Sequence, residues 1–186
     1  MEIHMEPLTP ARAEDFLRFF DHDAFSDHEE WAGCYCLEGH LRPEEEAACN
    51  KIEKRRKKAK KLILSGTMHG YLLYDGDAVV GWCNAGDKRN FLPICEDPAY
   101  HTENARIKVV YCMDIAPAYR GKGLATLAME RVLADAENEG YAYVEGYPLA
   151  VPNDPYPYKG PLRLYEKFGF EVYRKAEGFF IMRKAL

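Results

Sequence analysis

An apolar run, a glycine turn and a helical pattern follow one another directly, and this junction constrains the chain most. The run covers 109–115, and the turn is Arg120-Gly121-Lys122-Gly123-Leu124-Ala125. Glycines at such a junction let a ligand approach the main chain closely. The following helix adds unpaired N–H groups and the positive end of its dipole. The unit is therefore a candidate binding site for a phosphate or pyrophosphate. A tight turn needed only for packing is the alternative.

Two familiar phosphate loops do not fit this turn. A dinucleotide-binding fold needs a third glycine, and Thr126 stands at that position. The Walker pattern G-x-x-x-x-G-K-[ST] does not occur in the sequence. The glycine turn therefore matches neither of these two phosphate-binding patterns.

Length and charge narrow the class of protein. The 186 residues, 47% of them hydrophobic, predict one domain over 1–186 with a single sizeable core. A net charge of −5 gives no general attraction to nucleic acid or anionic lipid. The N-terminus lacks the features of a signal peptide, and no apolar stretch approaches the ~20 residues of a membrane span. We expect a cytoplasmic protein without nucleic-acid or membrane partners.

A basic run and a cysteine pair could each be read as a binding site. The run Lys51–Lys61 is predicted to be a solvated helix face, and an RNA-binding helix is the alternative. Cys34-Tyr35-Cys36 is spaced more tightly than the usual zinc pair. We therefore expect no metal and no disulfide framework, with reduced thiols that are partly buried and partly line a pocket.

The periodicities and turn signals predict an alternating series of strands and helices. The predicted strands are 2–8, 70–74, 78–84, about 106–115, 141–147, 170–174 and 179–183. The predicted helices run from Thr9 or Pro10 to Phe20, from Pro43 to about Gly66, from 124 to about 140, and over 162–168. Asp75-Gly76-Asp77 predicts a hairpin turn. The stretches 21–41, 90–103 and 148–161 are predicted to be irregular.

A second motif, Leu164-Tyr165-Glu166-Lys167-Phe168-Gly169-Phe170, follows the next strand and loop. Together, R-x-x-G-x-A after a long strand and Y-E-K-x-G-F near the C-terminus resemble the GNAT superfamily of N-acetyltransferases. The order of elements is similar over nearly the whole chain. The resemblance implies an α/β fold of the α+β type. Its central, twisted, mixed and mostly antiparallel sheet is flanked by helices and splayed at strands 4 and 5.

The resemblance also implies a co-substrate, acetyl-CoA. The turn residues Arg120, Gly121, Lys122, Gly123, Leu124 and Ala125 would wrap its pyrophosphate, mainly through backbone N–H groups. Met113, Asp114 and Ile115 match the end of the splayed strand, whose main chain would pair with the pantetheine arm like an added strand. A backbone N–H there would polarise the thioester carbonyl and hold the developing oxyanion.

The implied reaction transfers the acetyl group to a primary amine by direct attack. Tyr165 aligns with the family tyrosine that protonates the departing thiolate, and a core aromatic role is the alternative. Asp114 and Glu145 are the candidate general bases. Strand alternation leaves open which of them points into the cleft, and either could be a structural acid. A non-catalytic acyl-CoA-binding or sensing module remains the alternative function.

Two segments are expected to shape the acceptor pocket. The residues concerned are Trp31, Cys34 and Cys36 after the first helix, and Tyr147, Tyr156 and Tyr158 in the proline- and tyrosine-rich loop. Tyr158 and Pro161 replace an Asn and an Ala found in many family members, so the Asn that usually anchors the cofactor arm is substituted. The acceptor is expected to be a small-molecule or peptide amine, bound by a monomer or homodimer.

Overall fold

The computed structural model describes residues 2–97, 100, 105–151 and 157–186. Within them the strands are β1 (Ile3–Pro7), β2 (Tyr71–Asp75), β3 (Ala78–Asp87), β4 (Ile107–Ile115), β5 (Tyr143–Gly146), β6 (Glu171–Ala176) and β7 (Phe179–Ala185). The α-helices are α1 (Ala13–Arg18), α2 (Pro43–Ala48), α3 (Ile52–Leu64), α4 (Leu92–Glu96), α5 (Leu124–Asn138) and α6 (Leu162–Lys167).

Among the described residues the seven strands form one mixed sheet in the order β1-β2-β3-β4-β5-β7-β6. Only the β4–β5 pair is parallel there, and the other pairs are antiparallel. The predicted Asp-Gly turn joins β2 to β3, with Asp75 opposite Ala78. The structure confirms the expected α/β class and the mostly antiparallel sheet flanked by helices.

The sheet opens between β4 and β5. The two strands pair only from Ile107 opposite Tyr143 to Val110 opposite Gly146. Beyond Val110, β4 continues through Ile115 along its β3 neighbour alone. This confirms the splay expected at strands 4 and 5 and leaves an open strand edge.

A bulge in β4 decides which side chains face each layer. Asn84 lies opposite Cys112 while Ala85 lies opposite Val110, so Tyr111 is the extra residue. Tyr111 and Cys112 consequently both pack into one core layer, whereas Val110 and Met113 pack into the other. A bulge of this kind re-aims the strand that follows it.

Two apolar layers cover the sheet. One contains Phe16 of α1, Ile63 of α3 and Trp82 of β3. The other contains Val132 of α5 and Tyr165 of α6. Each face of the sheet therefore has its own helical cover, and the junction 116–123 crosses between them at the edge of the splay.

Two of the differences from the predicted elements concern α-helices. The helix predicted from Pro43 to about Gly66 is broken at 49–51 into α2 and α3. Arg55 of α3 reaches back across the break and forms a 3.3 Å ion pair with Glu46 of α2. The stretch predicted to be irregular before β4 contains α4. In the part of the chain that the structure describes, no helix is long and apolar enough to cross a bilayer.

Candidate active site

A cleft of about 990 Å³ lies at the splayed edge of β4, beside the start of α5. It is lined from three directions: the glycine turn, the second half of β4, and the segment that contains the Cys34–Cys36 pair. The sequence-predicted site residues that line it are Trp31, Cys34, Cys36, Met113, Asp114, Ile115, Arg120, Gly121, Gly123, Leu124, Ala125 and Tyr158. Most of the predicted site therefore converges on one cavity.

The glycine turn adopts a conformation that favours glycine. Gly121 has φ +74° and Gly123 has φ +86°, in the left-handed region. A Cβ at either position would meet no heavy atom within 4 Å, so both α-carbons face open space. Gly123 directly precedes α5, whose first N–H groups have no partner within the helix. The junction has the geometry of an anion site built from main-chain amides.

The two basic side chains of the turn are oriented differently. Arg120 donates through Nε to the Ile115 carbonyl at 3.0 Å and forms a 2.5 Å ion pair with Asp27. Arg120 therefore links the end of β4 to Asp27, in the segment that follows α1. Lys122 lies 5.0 Å over the Tyr119 ring and is not among the residues that line the cleft. An anion placed at this turn would therefore meet mainly backbone N–H groups.

The open edge of β4 carries a peptide group of the same chain. The Met113 N–H donates to the Tyr158 carbonyl at 2.7 Å. A carbonyl oxygen therefore occupies the position where the resemblance placed a thioester carbonyl. The adjacent Lys159 packs its ammonium 4.0 Å from the centre of the Tyr111 ring and pairs with Glu38 at 3.4 Å.

Tyr165 is buried beside this segment. Its hydroxyl donates to the Lys159 carbonyl at 2.7 Å. Its ring packs against Gly146 so closely that a Cβ there would lie 2.1 Å from it. Burial, and then the nearby Cys83 and Cys112 thiols, raise the pKa of the Tyr165 hydroxyl well above its usual range. The phenol keeps its proton at neutral pH and lies behind the wall of the cleft.

Asp114 points into the cleft, which resolves the question that strand alternation left open. It is 7% exposed and accepts a hydrogen bond from the Cys112 thiol at 3.2 Å. Burial raises the pKa of the Asp114 carboxyl to about 6, against the opposing effects of the Cys112 thiol and the Arg120 guanidinium. The bulge at Tyr111 sets this orientation, because it places Cys112 on the same face of β4 as Tyr111. Asp114 lies two residues after Cys112 and therefore shares that face.

Three thiols lie around Asp114. Cys34 and Cys36 line the cleft together with Cys112 of β4. Burial, then Cys36 and Asp114, raise the pKa of the Cys34 thiol well above its usual range. The pKa of Cys112 is raised first by its interaction with Cys36 and then by burial. These environments keep the Cys34 and Cys112 thiols protonated at neutral pH.

The predicted base Glu145 and the predicted pocket residue Tyr147 lie elsewhere. The fully buried Glu145 carboxylate pairs with Arg183 and Lys88, each at 2.8 Å. It also accepts a 2.8 Å hydrogen bond from the Tyr147 hydroxyl, and neither residue lines the cleft. Alternation sends the Glu145 side chain to a buried ionic cluster, and Tyr147 packs in the core at 1% exposure. Tyr156 lies outside the described residues.

The cleft also contains residues that were not predicted from the sequence. They are chiefly Glu38, Arg55, Tyr111, Cys112, Thr126 and Arg163. Arg55 holds the wall in shape, since it donates to the carbonyls of Gly33 at 2.6 Å and Cys34 at 3.1 Å. It belongs to the run that was predicted to be a solvated helix face. Cys112 was recognisable in principle, because it precedes Asp114 by two residues on the same strand.

Comparisons with known proteins agree with this architecture. The chain matches the model of the acetyltransferase (GNAT) family over residues 6–170. It is similar to the PaiA N-acetyltransferase of Thermoplasma acidophilum, solved in complex with coenzyme A, with a TM-score of 0.62, 14% identity and all of both chains covered. It is also similar to the GNAT domain of S. lividans PAT, with a TM-score of 0.62 and 16% identity, over 99% of this chain and 90% of that one. An acetyltransferase from Thermus thermophilus gives a TM-score of 0.59 and 16% identity over 100% and 98% of the two chains.

The structural matches share the fold at low identity, and no curated protein matches the sequence. The family model, in contrast, covers most of the chain, including the glycine turn and the Tyr165 motif. The chain belongs to the acetyltransferase (GNAT) family.

Proposed function

We propose that this acetyltransferase transfers the acetyl group of acetyl-CoA to a primary amine by direct attack on the thioester. One observation carries the proposal: the amides of the glycine turn, the open edge of β4 and the Asp114 carboxylate all border one cleft. The cleft can therefore hold the pyrophosphate of acetyl-CoA at the turn and the pantetheine arm along β4. The amine then lies beside Asp114.

The co-substrate is held mainly by backbone groups. Its pyrophosphate accepts hydrogen bonds from the N–H groups between Gly121 and Thr126, at the positive end of α5. The pantetheine arm lies along β4 between Met113 and Ile115, in place of the strand neighbour that β5 does not supply there.

When the thioester binds, the segment of Tyr158 and Lys159 moves away from the edge of β4. The thioester carbonyl replaces the Tyr158 carbonyl on the Met113 N–H, which is a like-for-like exchange of acceptors. The same movement releases the Tyr165 hydroxyl from the Lys159 carbonyl. One displacement therefore exposes both the oxyanion donor and the proton donor.

Asp114 is the group that receives the proton of the amine. Its carboxylate lines the cleft one residue from the Met113 amide, close to the reacting carbonyl. The amine nitrogen bonds to the carbonyl carbon, and the carbon–sulfur bond breaks. The proton lost from nitrogen goes to Asp114, and the CoA thiolate takes a proton from Tyr165. The acceptor is a small-molecule or peptide amine.

A screen of primary amines tests this assignment, with acetyl-CoA as donor and detection of the released CoA thiol. The wild-type protein should acetylate at least one amine class, and Asp114→Asn should lower kcat by about 10²–10⁴-fold. Asp77→Asn, in the exposed β2–β3 turn, is the matched control and should retain the wild-type rate.

Calorimetry with CoA on the same proteins separates the competing function. Both variants should bind CoA as the wild type does. If CoA binds while every amine fails to react, the protein is the non-catalytic binding or sensing module instead.

A further inference from the structure

We propose that Cys36, Cys112 and Asp114 form a zinc site in the wall of the cleft. Their sulfur and carboxylate ligand atoms all lie within 4.8 Å of one another. All three residues are at least nine-tenths buried, yet each borders the cleft. The tight Cys34–Cys36 spacing predicts no zinc site within that segment, but it says nothing about ligands from elsewhere in the chain. The other two ligands come from β4, far away in the sequence.

The distances suit a tetrahedral zinc ion. With Zn–S bonds of about 2.3 Å and Zn–O bonds of about 2.0–2.2 Å, neighbouring ligand atoms stand about 3.5–3.8 Å apart. The Cys112 sulfur and an Asp114 oxygen already lie 3.2 Å apart. With every pair inside 4.8 Å, closure around the ion needs movements of no more than about 1 Å.

The Cys36 segment is held in a conformation that turns its thiol toward β4. Tyr35 and Cys36 have φ values of +45° and +50°, uncommon for residues with a side chain. Such positions are strained and cluster where a site must be pre-formed. The Tyr35 hydroxyl, which donates to Asp21 at 2.6 Å, holds the segment in place.

A buried amide supports the Cys36 sulfur from behind. Asn84 donates from Nδ2 to Cys36 Sγ at 3.2 Å. Its orientation is set by His40, whose Nδ1 donates to the Asn90 carbonyl at 3.2 Å, so that Nε2 accepts from Asn84. An N–H group aimed at sulfur stabilises a metal-bound thiolate, as outer-shell partners commonly do at metal centres.

The donor set selects the metal. Two thiolates and one carboxylate suit Zn²⁺ better than Mg²⁺ or Ca²⁺, which prefer oxygen ligands. The Cys34 thiol, which lines the same cleft, or a water molecule completes the tetrahedron. Because the ion binds the carboxylate that serves as base in the proposed function, zinc should inhibit acetyl transfer. This last consequence rests on the proposed function, whereas the metal site does not.

The test is equilibrium dialysis of reduced, metal-free protein against Zn²⁺, with the bound metal measured directly. A parallel titration with Co²⁺ reports thiolate ligation by its charge-transfer absorption. Wild-type protein should bind one ion per chain and show the thiolate band. Cys36→Ser and Cys112→Ser should each lose the band and most of the bound metal, and Asn84→Ala should weaken binding by about 10–100-fold.

Cys49→Ser is the matched control, because Cys49 lies at the end of α2 and outside the cluster. It should bind metal as the wild type does. Absence of metal and thiolate band in folded wild-type protein would overturn the site, as would undiminished binding by a Cys36→Ser/Cys112→Ser double variant. The inhibition of turnover is measured separately, so an inactive protein that still binds zinc counts against the proposed function alone.

Discussion

Glu145→Gln distinguishes the structural role of this residue from a catalytic one. The carboxylate is fully buried and accepts from Arg183, Lys88 and the Tyr147 hydroxyl, with both ion pairs at 2.8 Å. Removing one partner of a buried ion pair typically costs about 3–5 kcal/mol, because the remaining charges stay desolvated. In a domain of this size each kcal/mol lowers Tm by about 2–4 °C, so a Tm decrease of about 6–20 °C is expected.

Urea unfolding followed by circular dichroism measures the loss, and kcat is measured on the folded variant at low temperature. Turnover per folded molecule should stay within about threefold of wild type, since the Glu145 carboxylate does not border the cleft. Glu130→Gln, an exposed charge removal on α5, should leave the free energy of unfolding within about 0.5 kcal/mol. A Glu145→Gln protein of wild-type stability whose turnover falls 100-fold would refute the structural interpretation.

Three further predictions concern Tyr165, Gly146 and His40. Tyr165→Phe should lower kcat sharply while CoA binding by calorimetry persists; equal losses in both would assign Tyr165 to packing alone. Gly146→Ala places a methyl group 2.1 Å from the Tyr165 ring and should lower the free energy of unfolding by about 1–3 kcal/mol, measured in urea. Burial lowers the pKa of His40 from 6.5 to about 4. The unfolded chain takes up this proton at a higher pH than the folded chain does. The contribution of His40 to the free energy of unfolding should therefore be fully present above pH 6.5. It should fall by about 3 kcal/mol as the pH drops to about 4. The free energy of unfolding of His40→Gln, measured across this range, should vary less steeply with pH than that of the wild type. An unchanged pH dependence would exclude His40 as its source.

Local patterns predicted the elements well where the governing interactions are local. The glycine turn, the β2–β3 hairpin and α5 follow from turn chemistry and apolar periodicity, and the structure confirms them. The break at 49–51 could not be predicted this way, because Arg55 imposes it through contacts with Glu46 and with the carbonyls of Gly33 and Cys34.

The candidate site shows the same division. Backbone features such as the turn and the strand edge follow from sequence motifs, whereas side-chain directions depend on partners far along the chain. Glu145 pairs with residues 38 and 57 positions away, which a strand pattern cannot reveal. The orientation of Asp114 likewise depends on the register between β3 and β4.

The bulge in β4 has a consequence for how this chain can change. Tyr111 is the one surplus residue in its register with β3. Deleting it would join Val110 directly to Cys112, and strict alternation would then leave Cys112 and Asp114 on the face of β4 that they occupy now. The strand would lose the Tyr111 ring, whose hydroxyl donates to Glu38 at 3.1 Å and whose centre lies 4.0 Å from the Lys159 ammonium. A shortening of one residue, with no substitution at all, should therefore preserve the directions of the reactive groups while it releases the segment that covers the open strand edge.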